Sequence, residues 1–112
     1  MNNYLLRSLM FVPSHNDKLM KSASKSNADV LLLDIEDSVQ PVSNKQVARD
    51  KIKEYVSNDL FKNKLVFARV NDRESGELLK DIMQLTIKGV NGFMFPKAKL
   101  GEDIYFLIKQ RV

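Results

Sequence analysis

Short strand-like runs alternate with helical patterns along the chain, and this alternation constrains the fold more than any other feature. The strand-like runs are Leu9–Val12, Val30–Leu33, Leu65–Asn71 and Phe93–Phe95. Short, mainly apolar runs of this kind are typical of strands buried on both faces of a sheet. Apolar residues recur at three- to four-residue spacing after each run, which predicts four amphipathic helices.

The predicted order is β-α-β-α-β-α-β-α, which implies parallel strands joined by right-handed crossovers, with helices covering the sheet. The last helix is expected to begin at Glu102 and Asp103 and to carry Ile104, Leu107 and Ile108. A chain of 112 residues is long enough for one α/β domain of this type. Functional groups of such a sheet gather at the carboxyl ends of its strands.

Composition excludes several classes of function. The chain contains no Cys, which rules out a disulfide framework, a thiolate zinc site and a cysteine nucleophile. The net charge of +4 is mild, and without a nucleic-acid-binding motif it gives no reason to expect a nucleic-acid partner. No apolar run approaches the ~18 residues of a membrane span, and no signal peptide is evident. We therefore expect a cytoplasmic protein without a membrane partner.

Carboxylates follow the second strand directly. Strand side chains alternate between faces, so Asp34 and Glu36 are expected to share one face, with Leu33 and Ile35 on the other. The apolar face should meet helices, which leaves the acidic face directed into a cleft or barrel mouth. Asp37 completes an acidic cluster but is expected to point away from the other two carboxylates.

Basic and amide side chains follow the next two strands. Arg69 and Asn71 alternate with apolar residues on the third strand. On the fourth strand, Phe93, Phe95 and Lys97 are expected to share the inner face. Carboxylates, an arginine, an asparagine and a lysine would then converge on one edge of the sheet. Arginine is suited to bidentate carboxylate recognition, but an ion-pair network that closes the strand ends explains the same pattern.

Four segments in order resemble the start of the citrate lyase beta-subunit family, within the HpcH/HpaI aldolase superfamily. They share short apolar strands followed by characteristic polar residues, and they are Arg7–Pro13, Ala28–Val39, Ala68–Asn71 and Phe95–Lys97. The acidic stretch that contains Asp34, Glu36 and Asp37 is the most specific of them.

The resemblance implies a (β/α)₈ barrel that cleaves or forms carbon–carbon bonds in acyl thioesters, such as citryl, malyl or citramalyl derivatives, with Mg²⁺. By this resemblance Arg69 binds a substrate carboxylate and Lys18 contacts coenzyme A. Asp34, Glu36 and Asp37 would lie beside the metal site. A divalent metal would polarise the carbonyl group and stabilise the enolate that forms when the bond breaks.

The sequence also departs from the family pattern. The family's metal-binding Glu and Asp follow the fourth strand, and no residue here matches them, so no metal ligand is predicted within this chain. Ser14 stands where many members have Gly. A (β/α)₈ barrel needs about 250 residues, so residues 1–112 are interpreted as a partial TIM-barrel domain, the N-terminal half with about four βα units.

Half a barrel would leave its inner face uncovered. We therefore expect either a missing C-terminal half or a homo-oligomer, with self-association through Met10, Phe93 and Phe95. We also expect the chain alone to turn over no thioester.

Two other functions remain open. The chain could be a non-catalytic remnant or interaction module that keeps only a binding surface. It also has some likeness to a receiver signalling domain, because Leu31–Asp34 resembles a phosphoacceptor strand and Lys97 follows a later strand. A receiver needs an acidic pair after its first strand, however, and Pro13–Asn16 contains none.

Overall fold

The structure is a computed structural model that describes residues 8–97 and the backbone of residues 102–106. Its elements, in chain order, are β1 (Leu9–Pro13), α1 (Asp17–Ser24), β2 (Val30–Asp34), α2 (Ser43–Ser57), β3 (Leu65–Arg69), α3 (Leu78–Leu85), β4 (Gly92–Lys97) and β5 (Glu102–Phe106). A 3₁₀ turn at Arg73–Ser75 precedes α3. None of the helices in this described part is long and apolar enough to cross a bilayer.

The strands form one sheet in the order β1-β2-β3-β4-β5, and the first four are parallel. Adjacent strands in chain order are therefore adjacent in space, as short right-handed crossovers require. This arrangement confirms the prediction of four parallel strands alternating with helices.

The predicted last helix is wrong over Glu102–Phe106, which forms β5 antiparallel to β4. Two physical reasons favour the strand. Ile104, Tyr105 and Phe106 are β-branched or aromatic residues, which suit strands better than helices. The edge of β4 also presents backbone donors and acceptors that a following strand can satisfy. Leu107 and Ile108 lie outside the described residues.

Side chains from all three helices pack on the same face of the sheet. One row of this face is made by Val12, Leu33, Ala68 and Phe93, which are adjacent in register and at most 2% exposed. The helices contribute fully buried side chains to the same core, namely Met20, Ala23, Ala48, Ile52 and Leu85. On the opposite face Leu32 and Met94 are also buried, at 1% and 2% exposed, whereas Phe11 is 52% exposed.

The register corrects the predicted inner face at three residues. Phe93 pairs with Ala68 and therefore lies on the helix-covered face, where it is buried. Phe95, two residues further along the same strand, also packs against that core, and Met10 is in register with the core residue Leu31. The sequence contains no signal for the phase of the Phe-Met-Phe run, because both phases are apolar.

A buried arginine joins α2 to α3 and to the end of β3. The side chain of Arg49 donates to Asp81 Oδ1 and to Glu77 Oε1, each at 2.7 Å, and is 1% exposed. The other oxygen of Asp81 accepts from both the backbone N–H and the side-chain amide of Asn71, at 2.7 and 2.8 Å. The arginine lowers the pKa of Glu77 through its hydrogen bond. This network fixes the loop that follows β3.

A second polar contact joins α1 to α2. The hydroxyl of Tyr55 and the ammonium of Lys51 both donate to Asp17 Oδ1. The hydrogen bond to Asp17 raises the pKa of Tyr55 to about 12 and lowers that of Asp17. The start of α1 is thereby held against α2, and with it the loop after β1.

Replacing Arg49 with Met should destabilise the fold by about 3–5 kcal/mol, because Asp81 and Glu77 would lose their buried partner. Urea unfolding measures this. Arg49 lowers the pKa of Glu77, so this ion pair contributes to the free energy of unfolding above the ordinary pKa of 4.5, and the contribution is lost as pH falls through the lower pKa of the folded state. The difference in free energy of unfolding between wild type and Arg49→Met should therefore become smaller in acid.

The matched control for this prediction is Lys53→Met on the same helix. Lys53 forms an exposed ion pair with Asp50 at 3.5 Å and donates to Gln84 of α3 at 3.1 Å; these contacts lie near the surface, so their loss should cost about 1 kcal/mol or less. Equal effects of the two substitutions would show that the Arg49 network does not stabilise the fold.

The expected self-association now rests on β1 rather than on Phe93 and Phe95. Leu9, Met10 and Phe11 are 47%, 38% and 52% exposed, and β1 has a neighbour on only one side within the described sheet.

A charged residue on such an edge discourages strand pairing between molecules. We expect sedimentation velocity to show that Phe11→Lys weakens self-association. The control is Met83→Lys, at an apolar residue that is 72% exposed on α3; an equal effect there would exclude the β1 edge.

Candidate functional site

A row of four residues crosses the carboxyl ends of the parallel strands. Pro13, Asp34, Arg69 and Met94 are adjacent in register, one on each strand from β1 to β4. In-register residues of parallel strands share a face, and this row lies opposite the helix-covered core. Asp34 and Arg69 therefore lie next to each other at the same edge of the sheet, as predicted.

Asp34 organises the loop that follows β2. Its side chain accepts from the backbone N–H of Glu36 at 2.8 Å and from that of Ser38 at 3.1 Å. The residue is 4% exposed, so these two hydrogen bonds satisfy a carboxylate that would be costly to bury alone. Asp34 thus acts as a support for the loop.

Glu36 and Asp37 both contact Arg69. One terminal nitrogen of the guanidinium lies 2.9 Å from Glu36 Oε1 and 3.3 Å from Asp37 Oδ2. The side chains of Arg69 and Glu36 are 18% and 20% exposed, whereas that of Asp37 is 73% exposed. The Glu36 ion pair is the shorter and the more buried of the two, so it is less screened by solvent, whereas the Asp37 contact is a hydrogen bond at the surface.

The expectation that Asp37 points away is wrong. The β2 strand ends at Asp34, so the alternation of side chains does not continue to Asp37. The hydrogen bonds that Asp34 makes to Glu36 and Ser38 turn the loop and bring Asp37 back towards Arg69.

Asn71 does not join the acidic cluster. Its backbone N–H and side-chain amide both donate to Asp81, and the residue is 2% exposed. β3 ends at Arg69, so strand alternation does not continue to Asn71, which still lines a cleft beside Glu36 and Asp37. Its described contacts support the loop after β3.

The two predicted lysines contribute less to the described geometry. Lys18 is exposed in the first turn of α1, close in sequence to the carboxyl end of β1. Lys97 is the last residue of β4, and its side chain lies outside the described residues. The roles predicted for both lysines stay predictions.

Lys45 on α2 is part of the site and was not expected from the sequence. Its ammonium donates to the backbone carbonyls of Ile35 and Glu36, at 2.8 Å each. The residue is 4% exposed, and burial lowers the pKa of Lys45. One signal was available: Lys45 and Arg49 fall on the same helical stripe as the core residue Ile52.

A cleft of about 200 Å³ lies beside the acidic cluster, between the loops after β2 and β3. It is lined by Glu36, Asp37, Gln40, Val42, Lys45, Asn71, Asp72 and Ser75. The cleft opens at the carboxyl ends of the strands, where α/β sheets bind their ligands.

The carboxylates of this edge do not form a ligand set for Mg²⁺. Asp34 is engaged by two backbone N–H groups, and both Glu36 and Asp37 meet the Arg69 guanidinium. Within residues 8–97, no three His or acidic side chains lie close enough together to hold a metal ion. The geometry suits recognition of an anion by Arg69 instead.

Comparison with known proteins identifies relatives of this sequence. The profile of the family HpcH/HpaI aldolase/citrate lyase matches residues 7–110. An L-malyl-CoA/beta-methylmalyl-CoA lyase from Rhodobacter capsulatus is 32% identical over 104 residues, which covers 90% of this chain and 32% of the relative.

Citrate lyase subunits are also similar. The beta subunit from Leuconostoc mesenteroides subsp. cremoris is 28% identical, over 88% of this chain and 32% of the relative. The beta subunit from Escherichia coli strain K12 is 27% identical, over 93% of this chain and 34% of the relative. The chain thus spans about a third of the length of these curated relatives. Since the family profile covers nearly all of its residues, the chain belongs to the HpcH/HpaI aldolase/citrate lyase family.

Proposed function

We propose that this chain provides the carboxylate-binding part of a carbon–carbon lyase that acts on acyl thioesters of the malyl, citramalyl or citryl type. The observation that carries the proposal is the partly buried Arg69, held at the carboxyl edge of the sheet by Glu36. Relatives named malyl-CoA lyase and citrate lyase support the choice of substrate class. Each of these acyl groups carries a carboxylate that a guanidinium can bind.

The two acidic partners of Arg69 have different roles in this proposal. Glu36 is partly buried and fixes the guanidinium. Asp37 is mostly exposed and its contact is longer, at 3.3 Å, so a substrate carboxylate can replace it at little cost. In the absence of substrate, Asp37 compensates the charge of Arg69.

Lys18 is proposed to contact the coenzyme A part of the thioester. It lies exposed at the start of α1, beyond the carboxyl end of β1. An ammonium on a flexible side chain is suited to the phosphates of a cofactor. The role comes from family resemblance, and the exposure of Lys18 is compatible with it.

Mg²⁺ enters the proposal only through family resemblance. In a complete family enzyme the metal would polarise the thioester carbonyl and stabilise an enolate. The carboxylates of this edge are engaged by Arg69 and by backbone N–H groups, so we assign no metal to them. The proposed partner that completes the site is either the C-terminal half of a barrel or a second copy of the chain.

A binding function without catalysis is the second candidate. It is favoured by the commitment of Asp34, Glu36 and Asp37 to contacts within the protein. In that case the chain would bind a dicarboxylate or thioester and release it unchanged.

Arg69→Lys should weaken binding of L-malate roughly tenfold or more, because lysine lacks the planar fork that binds a carboxylate bidentately. Isothermal titration calorimetry measures the affinity. Arg73→Lys is the matched control, since Arg73 is an exposed arginine in the 3₁₀ turn of the neighbouring loop. Unchanged affinity of the Arg69 variant would remove Arg69 from the site.

Asp37→Asn should tighten binding of L-malate by roughly threefold, because it removes an exposed anion that competes for Arg69. The same titration measures it. Asp50→Asn, at an exposed aspartate of α2, controls for the general change in charge. Weaker binding by the Asp37 variant would show that Asp37 helps to hold the ligand rather than competing with it.

We expect the purified 112-residue chain to cleave none of malyl-, citramalyl- or citryl-CoA and to bind Mg²⁺ weakly. The physical reason is that Mg²⁺ needs near-octahedral oxygen ligands, which the engaged carboxylates do not offer. Calorimetry with Mg²⁺ and a thioester cleavage assay test this. Metal-dependent cleavage together with micromolar Mg²⁺ affinity would contradict it and indicate a site rebuilt between copies.

A further inference from the structure

The peptide of Glu36 is held from both sides. Its N–H donates to the carboxylate of Asp34 at 2.8 Å, and its carbonyl accepts from the ammonium of Lys45 at 2.8 Å. The same ammonium also donates to the backbone carbonyl of the preceding residue, Ile35, at 2.8 Å.

Helix α2 supplies both anchors of the loops that border the site. Lys45 holds the loop after β2. Arg49, one turn further along, binds Asp81, and Asp81 binds Asn71, two residues beyond Arg69. One helix therefore contacts both the loop that carries Glu36 and the segment that follows Arg69.

We propose that Lys45 is a positioning residue, which acts through the backbone of Glu36 to hold the Glu36 carboxylate against Arg69. Its ammonium is buried and donates to the carbonyls of Ile35 and Glu36, at 2.8 Å each. The expected effect of Lys45 on ligand affinity rests on the function proposed for Arg69, whereas its effect on the position of Glu36 does not.

The chemistry of lysine explains why this residue type suits the task. An ammonium is compact and has three donors, so it can serve two consecutive carbonyls at once. Two hydrogen bonds to carbonyls satisfy donors that would be costly to bury without partners. An apolar side chain of similar length would leave both carbonyls without these donors, and the loop would no longer be held in one arrangement.

The chain offers a closely matched control in Lys64. This lysine also donates to two backbone carbonyls, those of Ser26 at 2.8 Å and Ala28 at 2.5 Å. Its contacts lie before β2 and β3 begin, at the opposite edge of the sheet from the site. Lys45→Met and Lys64→Met therefore remove the same chemistry from opposite ends of the same strands.

The first measurement is nitrogen–proton NMR of the Arg69 guanidinium, whose terminal nitrogen contacts Glu36, in the purified chain and assigned with Arg69→Lys. The reference for a guanidinium that has lost its Glu36 contact is Glu36→Gln. We expect Lys45→Met to move the Arg69 signal towards its position in Glu36→Gln, whereas Lys64→Met leaves it unchanged. An unmoved signal in Lys45→Met, or an equal shift in both lysine variants, would overturn the proposal.

The second measurement is titration with L-malate. We expect Lys45→Met to weaken binding roughly tenfold, the scale on which supporting residues act at other sites, while Lys64→Met keeps the wild-type affinity. Equal affinities of wild type and Lys45→Met would contradict positioning. If the wild-type chain binds no malate, the proposed function of Arg69 fails, and the NMR comparison still decides the role of Lys45.

Circular dichroism and urea unfolding establish that the compared variants are folded. If Lys45→Met does not fold, Lys45→Gln takes its place, because its amide keeps a donor for one carbonyl. That variant should shift the Arg69 signal part of the way towards the Glu36→Gln position. The absence of any shift in folded Lys45→Gln would count against the proposal.

Discussion

The register between β2 and β3 is the constraint on which the site depends. Asp34 lies opposite Arg69, so the loop that follows Asp34 begins beside the guanidinium. Two residues later Glu36 can reach Arg69, and the turn that Asp34 imposes brings Asp37 to the same group. A shift of one residue would move Arg69 to the helix-covered face, where a guanidinium would have to enter the apolar core.

Burial of two basic residues in α2 connects the stability of the fold with the geometry of the site. Lys45 and Arg49 are 4% and 1% exposed, and each is compensated by partners rather than by solvent. Arg49 is neutralised by Glu77 and Asp81, whereas Lys45 is held by two carbonyls. Because both residues lie on one helix, the packing of α2 against the sheet orients the loops after β2 and β3 together.

The sequence was sufficient for the four parallel strands and for the meeting of Glu36 with Arg69, because apolar runs that end in polar residues specify where parallel strands stop. It was insufficient for the faces of β4, where Phe93 and Met94 are both apolar and only pairing with Ala68 decides the phase. The contact of Asn71 with Asp81 could not be predicted, because side-chain alternation ceases where β3 ends, yet Asn71 still lines the cleft beside Glu36 and Asp37. Lys45 was missed because charged helical residues normally face solvent.

The central claim is that Arg69 receives a carboxylate while Glu36 keeps it in place, and a crystal structure of the chain grown with L-malate tests it most directly. We expect a malate carboxylate within hydrogen-bonding distance of the Arg69 guanidinium. We also expect that Asp37 is displaced into solvent and that the contact between Glu36 and Arg69 is retained. Malate bound away from the ends of β2 and β3, with both acidic residues still on Arg69, would contradict the account.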